Sequence, residues 1–193
     1  MIETTKAQLS SWHIDYCLKL TPLVKSDRLR WPTAQIFLGH PKQNLGGQYR
    51  PRPHVCRYAI CYALTAGDAF REVVAHEVCH AFQRDTFSGK QRWHGEHFHY
   101  LMEVCGYRGG NRRCHSHNSI KAQKMHRLLL PYRAKLQNVD ITTDCIEYRE
   151  KLRLCKENAY YRQHNPMLAA LEKTTNDIYA ELNNNPERPF SGR

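Results

Sequence analysis

The chain has 193 residues, a formal net charge of +11 and a pI near 9.4. That length suits one sizeable core, or one domain with a helical appendage, and the positive balance points to a polyanionic partner such as nucleic acid while saying nothing about fold. No run of about 18 apolar residues occurs, which excludes a hydrophobic membrane-spanning helix. The opening residues, MIETTKAQLSSW, lack the basic and apolar regions of a secretory signal, so a soluble cytoplasmic protein with no membrane partner is expected, free to associate with DNA or the nucleoid. Eight cysteines without a C-x-x-C pair then read as reduced thiols.

Residues 4–20 place Leu9, Trp12, His13, Tyr16 and Leu20 at helical spacing, and Pro22 ends the pattern. Residues 34–38 (AQIFL), 47–49 and 56–63 (CRYAICYA) are separated by segments rich in Gly and Pro. They read as three short strands of a small antiparallel sheet on which the first helix packs. The third is either an open edge along a substrate cleft or an ordinary core strand. Thr65 or Asp68 is positioned to cap a helix running to about Asp85. A polar loop, RDTFSGKQRW, leads to a second helical pattern opening at His94-Gly95, in which Phe98, Leu101, Met102 and Cys105 share a face before Gly106.

The remainder reads as helical. Residues 120–136 form one helix broken or kinked at Pro131. Asp144 and Glu147 have capping-box spacing for a helix from Cys145 to about Tyr161, and Asn165-Pro166 opens a last one ending near Leu182. The expected class is α+β, with a domain over 1–106 and a basic helical extension over 107–193.

Within the helix before Asp85 lies His76-Glu77-Val78-Cys79-His80. At 100° per residue the two histidines fall about 40° apart, close enough to bind one ion. Glu77 sits beside them. Two neutral imidazoles holding Zn²⁺, a third ligand and a carboxylate that takes a proton from water make a zinc hydrolase. Chance placement on a solvated face is the bland alternative, but Phe70, Val73, Val74, Val78, Ala81 and Phe82 surround the triplet with apolar side chains, and histidines inside a core helix need partners. Cys79 reads as a small core residue. For the third ligand, the metzincin extension requires glycine where Gln83 stands and histidine where Thr86 stands, so that class is out. Glu96, Glu103, His94, His97 and His99 remain.

HEVCHAF, a polar loop and then HGEHF resemble the SprT-like metalloproteases, whose pattern is HExxH followed by HGxxF. LGGQYR and CRYAICYA are similar to that family's region before the active helix, and the resemblance covers about residues 5–106. It implies a zincin-like arrangement in which two metal-binding helices pack with the sheet, zinc ligands His76, His80 and His94, and Glu77 as general base. His97 and His99 then become surface or supporting groups. It further implies a zinc-dependent endopeptidase acting on DNA-associated proteins, as Spartan-type enzymes do. The family's C-terminal zinc ribbon with paired cysteines is missing. Cys105, Cys114, His115 and His117 either replace it as a second metal site or belong to a basic loop with solvated histidines.

Residues 107–162 hold 13 Lys or Arg against 5 Asp or Glu, with Tyr107, Tyr132, Tyr148, Tyr160 and Tyr161 interleaved. Phosphate contacts with aromatic stacking fit this pattern, as does a solvated helical face. The competing functional expectation is a nucleic-acid-binding or regulatory protein whose zinc site is mainly structural.

Overall fold

The computed structural model describes residues 1–24, 28–39, 45–87, 93–107 and 120–164, with side chains up to 158. The expected helix from Asn165-Pro166, together with Cys114, His115 and His117, lies outside the described residues.

Apolar spacing near 3.6 makes helix α1 (Ile2–Leu20), which buries Leu9, Trp12, His13, Ile14, Tyr16, Cys17 and Leu20. Strands β1 (Thr33–Phe37), β2 (Gly47–Arg50) and β3 (Val55–Ala59) follow, and a short β4 (Val139–Asp140) joins them late in the chain. The sheet is four-stranded and mixed, in the order β2-β3-β1-β4, rather than three-stranded and antiparallel. β3 runs parallel to β1 and antiparallel to β2, and β4 runs antiparallel to β1. The reason is connectivity. A tight turn over residues 51–54 forces β2 and β3 to be antiparallel, and the longer connection from β1 to β2 lets β3 insert beside β1 in the same direction. β4 is two residues long, too short to leave a period in the sequence.

β3 is central and fully buried, so the core-strand reading holds and β2 is an edge. It also ends sooner than the apolar run suggests. Ile60–Ala66 form helix α2, because a continuous apolar stretch cannot by itself separate a buried strand from a buried helix. Neither expected cap serves the histidine-bearing helix α3 (Arg71–Thr86), which follows a 3₁₀ turn over Gly67–Phe70 with no side-chain cap. Thr65 instead donates its hydroxyl back to the Cys61 and Tyr62 carbonyls, at 3.1 and 3.0 Å, and Gly67 at φ +54° ends α2.

Helix α4 (Glu96–Val104) buries Phe98, Leu101 and Met102. It closes with Gly106 at φ +96° and the Tyr107 amide bonded to the Met102 carbonyl at 2.9 Å. Beyond it, α5 (Ile120–Leu129) breaks at Pro131 into a 3₁₀ turn and a short α6 (Arg133–Leu136), and α7 spans Ile146–His164. Leu129, Leu136 and Tyr148 share one buried cluster with α1, the sheet and α3, so residues on both sides of position 106 contribute to the core. No helix among the described residues is long and apolar enough to cross a membrane.

Fully buried His13 ties three parts of this core together. Its Nε2 donates to the Pro32 carbonyl at 2.8 Å, which leaves Nδ1 to accept from the Tyr58 hydroxyl at 2.8 Å. The Tyr148 hydroxyl of α7 donates to the same Pro32 carbonyl at 3.1 Å. Burial lowers the His13 pKa from 6.5 to about 4. A depressed folded-state pKa means that stability is complete above the unfolded value and is lost as pH falls through the folded one. We therefore expect His13 to remove about 3 kcal/mol between pH 6.5 and 4, read by urea unfolding at stepped pH. The His13 ring protons in NMR should show the neutral form down to about pH 4.

Candidate metal centre

α3 has to satisfy two environments at once. Val73, Val74, Val78, Ala81 and Phe82 are buried in the core, while His76, Glu77 and His80 lie on the turn that faces α4 and the β2 edge. His94 arrives from the residues just before α4, whose N-cap is Gly95. The three imidazoles converge. His76 Nε2 lies 3.1 Å from His80 Nε2 and 3.2 Å from His94 Nε2, and the three potential ligand atoms sit within 4.8 Å of one another.

Phe98 explains how the rings are held. It is completely buried, stacks on His80 with centroids 4.5 Å apart, and meets His76 and His94 edge-on at 4.8 and 4.9 Å. One apolar side chain thus sets the position of all three rings. Leu101 and Met102, one turn further along the same face of α4, anchor it in the core.

Protonation follows from the surroundings. Burial, then the neighbouring His94, lowers His76 to about pKa 4. Burial, then His76 and His94, lowers His80 to about 3. His94 is lowered by desolvation and by His99. Neutral imidazole is the form that donates a lone pair to a metal.

Glu77 is only 7% exposed, and burial raises its pKa to about 8 against an opposing hydrogen bond from the Tyr49 backbone. A dication beside it favours the carboxylate form. Glu77 also lies directly under the sheet edge. A Cβ on Gly47 would come within 2.6 Å of Glu77 Cγ and 2.8 Å of its Oε1.

The donor set fits a zinc-sized ion. Bonds of 2.0–2.1 Å in a tetrahedron keep donor atoms about 3.3 Å apart, close to the spacing seen between these nitrogens. One supporting feature is incomplete. His80 Nδ1 is buried and makes no hydrogen bond of good geometry, and the Gln83 side chain acts to raise the His80 pKa against the effect of burial.

The other candidates lie elsewhere. Among the described residues, only His76, His80 and His94 form a group able to hold an ion. His97 stacks on Phe87 at 4.0 Å, His99 meets Phe98 edge-on at 6.0 Å, and Glu96 and Glu103 are exposed on α4. Cys79 is buried, as expected, and its Sγ lies 3.7 Å from that of Cys105, which is itself buried in the core. Sequence reasoning missed Trp93, which is 58% exposed yet packs edge-on to His80 at 5.1 Å, and it missed the role of Gly47. The Gly46-Gly47 doublet was the available signal for close backbone approach.

Residues 41–126 match the model of the SprT-like family. This segment is SprT-like. It contains the two histidine motifs and the β2 edge, and the family is commonly related to metallopeptidases. No curated protein and no solved structure matches the chain significantly.

The Gly47 contact yields a direct test of the SprT-like segment. Gly47→Ala must displace Glu77 or part β2 from α3, and overpacking of this kind costs about 1–3 kcal/mol. Denaturant unfolding should show that loss with the slope against denaturant unchanged.

Proposed function

We propose that the chain is a zinc-dependent endopeptidase of SprT-like type, with a zincin-like arrangement of the sheet edge and two helices around the metal. The observation that carries this reading is the buried Glu77 carboxylate, next in sequence to one of three imidazoles whose Nε2 atoms meet at one point. His76, His80 and His94 would hold the ion, and Glu77 is the general base. Zn²⁺, when bound, supplies a Lewis acid for the scissile carbonyl and lowers the pKa of a water at the site. Glu77 accepts the proton of the attacking water and passes it to the departing amine, so one carboxylate serves as base and then as acid. Tyr49's backbone amide holds that carboxylate in place, and Phe98 keeps the imidazoles aligned. The low dielectric around Glu77 makes proton exchange with bulk water a poor competitor.

Glu77→Gln keeps the shape and removes the base. Cleavage of an unfolded protein substrate is expected to fall by about 10²-fold or more, with about one zinc per chain retained by metal analysis. Unchanged biological activity in that variant would favour the competing reading, a nucleic-acid-binding protein with a structural zinc.

We further propose DNA as a partner, through the basic region after α4, with proteins bound to that DNA as substrates. Lys121, Lys124, Arg127, Arg133, Lys135, Arg149 and Lys156 present exposed side chains there, whereas Lys151 and Arg153 pair with Glu147 and Glu157 on α7. Binding through phosphates releases counterions, so the logarithm of affinity should fall linearly with that of salt concentration, by about 0.9 per duplex phosphate contacted. Lys124→Gln and Arg127→Gln should each reduce the slope by about one. A salt-independent affinity would remove this part of the proposal.

A further inference from the structure

β2 is the edge strand beside Glu77, and its register decides which backbone groups face outward. The Ala59 amide donates to the Gly46 carbonyl at 2.8 Å, while Gly47 pairs with Tyr58 and Tyr49 with Cys56. In an antiparallel ladder this makes Gln48 and Arg57 the hydrogen-bonded pair and turns the Tyr49 N–H away from β3. That N–H is the backbone donor to Glu77. Gly47, two residues earlier on the same face, is in contact with the Glu77 side chain. The position of the edge therefore sets the position of the carboxylate.

A bare edge strand of four residues has little to hold it still. Here the Tyr49 side chain runs to the inner face and its hydroxyl donates to His54 Nδ1 at 2.9 Å, with the rings edge-to-face at 5.7 Å. His54 Nε2 donates to the Arg30 carbonyl at 3.1 Å, which fixes the tautomer, and lies 3.8 Å from Asp85 Oδ2. Arg84 and Asp85 face the pair from the last turn of α3, the helix that carries His76, Glu77 and His80. His54 is 5% exposed and sits at φ +56°, a region where a non-glycine residue persists only when its surroundings hold it.

We infer that Tyr49 and His54 are positioning residues, a buried pair that locks the outer edge of β2 to α3 and so aims the Glu77 carboxylate from outside the metal centre. Neither side chain belongs to the ligand set, and neither touches the reacting atoms. Their effect passes through the Tyr49 backbone. The inference rests on the peptidase reading for its kinetic consequence, and on the sheet register alone for its structural one.

The test uses the full zinc-loaded chain with Tyr49→Phe, His54→Leu and His54→Asn, dye-labelled casein as substrate, and amide hydrogen exchange. Tyr49→Phe and His54→Leu should lower kcat about tenfold with KM within about twofold, at unchanged zinc content. Both should speed exchange at the Tyr49 amide. His54→Asn keeps an acceptor for the Tyr49 hydroxyl and tolerates positive φ, so it should stay within about threefold of the parent kcat. A merely structural pair would lower the melting temperature and leave kcat and Tyr49 exchange alone, which overturns the inference. Should His54→Leu fail to fold, Tyr49→Phe, which removes one hydroxyl, decides. If the parent chain cleaves nothing, the peptidase reading falls, and exchange at Tyr49 alone decides this inference: faster exchange in the variants upholds it and unchanged exchange overturns it.

Discussion

The Nε2 atoms of His80 and His94 lie 3.1 and 3.2 Å from that of His76, and three neutral imidazoles can turn their lone pairs to one point only where a cation accepts them. That constraint shapes the rest of the structure. It requires a helix that can bury His80 and Glu77 on a face continuous with the core, and a second helix that brings His94 across without straining either. It also requires that protonation be suppressed, since imidazolium cannot donate a lone pair. Burial does this, lowering His76 and His80 well below the ordinary histidine range.

The same burial acts in the opposite sense on Glu77, whose carboxylate loses hydration and is pushed up to about 8. The centre thus joins groups that lose charge for a common reason: imidazoles become neutral by failing to gain a proton and the carboxyl by failing to lose one. A bound dication resolves both at once, because it takes the lone pairs and favours the anionic carboxylate. Around it the packing is economical. Phe98 touches all three rings, and the absence of a side chain at Gly47 lets β2 lie against Glu77.

Charge and fold are separate matters in this chain. The apolar cluster runs through α1, the sheet, α2, α3 and α4 and continues into residues from α5, α6 and α7, so the basic region is attached by buried Leu129, Leu136 and Tyr148. Its cations face outward. Helices can serve both purposes because one stripe suffices for packing and leaves the opposite face available to solvent or phosphate.

Much of the centre was legible in residue spacing. His76 and His80 share a helical face by geometry alone, Gln83 and Thr86 exclude one ligand arrangement, and Phe98, Leu101 and Met102 define the face of α4. Helix α1 and the break at Pro131 were likewise written in local chemistry. What tertiary structure decided were relations between distant segments. The parallel pairing of β1 with β3, the arrival of a two-residue β4 from position 139, and the placement of β2 rather than β3 at the edge depend on which strand inserts beside which, and no local period encodes that. The end of β3 at Ala59 was hidden because an apolar run suits a strand or a buried helix equally. So was the bond between Tyr49 and His54, five residues apart across a turn, whose meaning appears only when α3 is packed beneath the strand. Spacing along one helix fixes which side chains can share an ion, while the strand laid across that helix fixes where its carboxylate points.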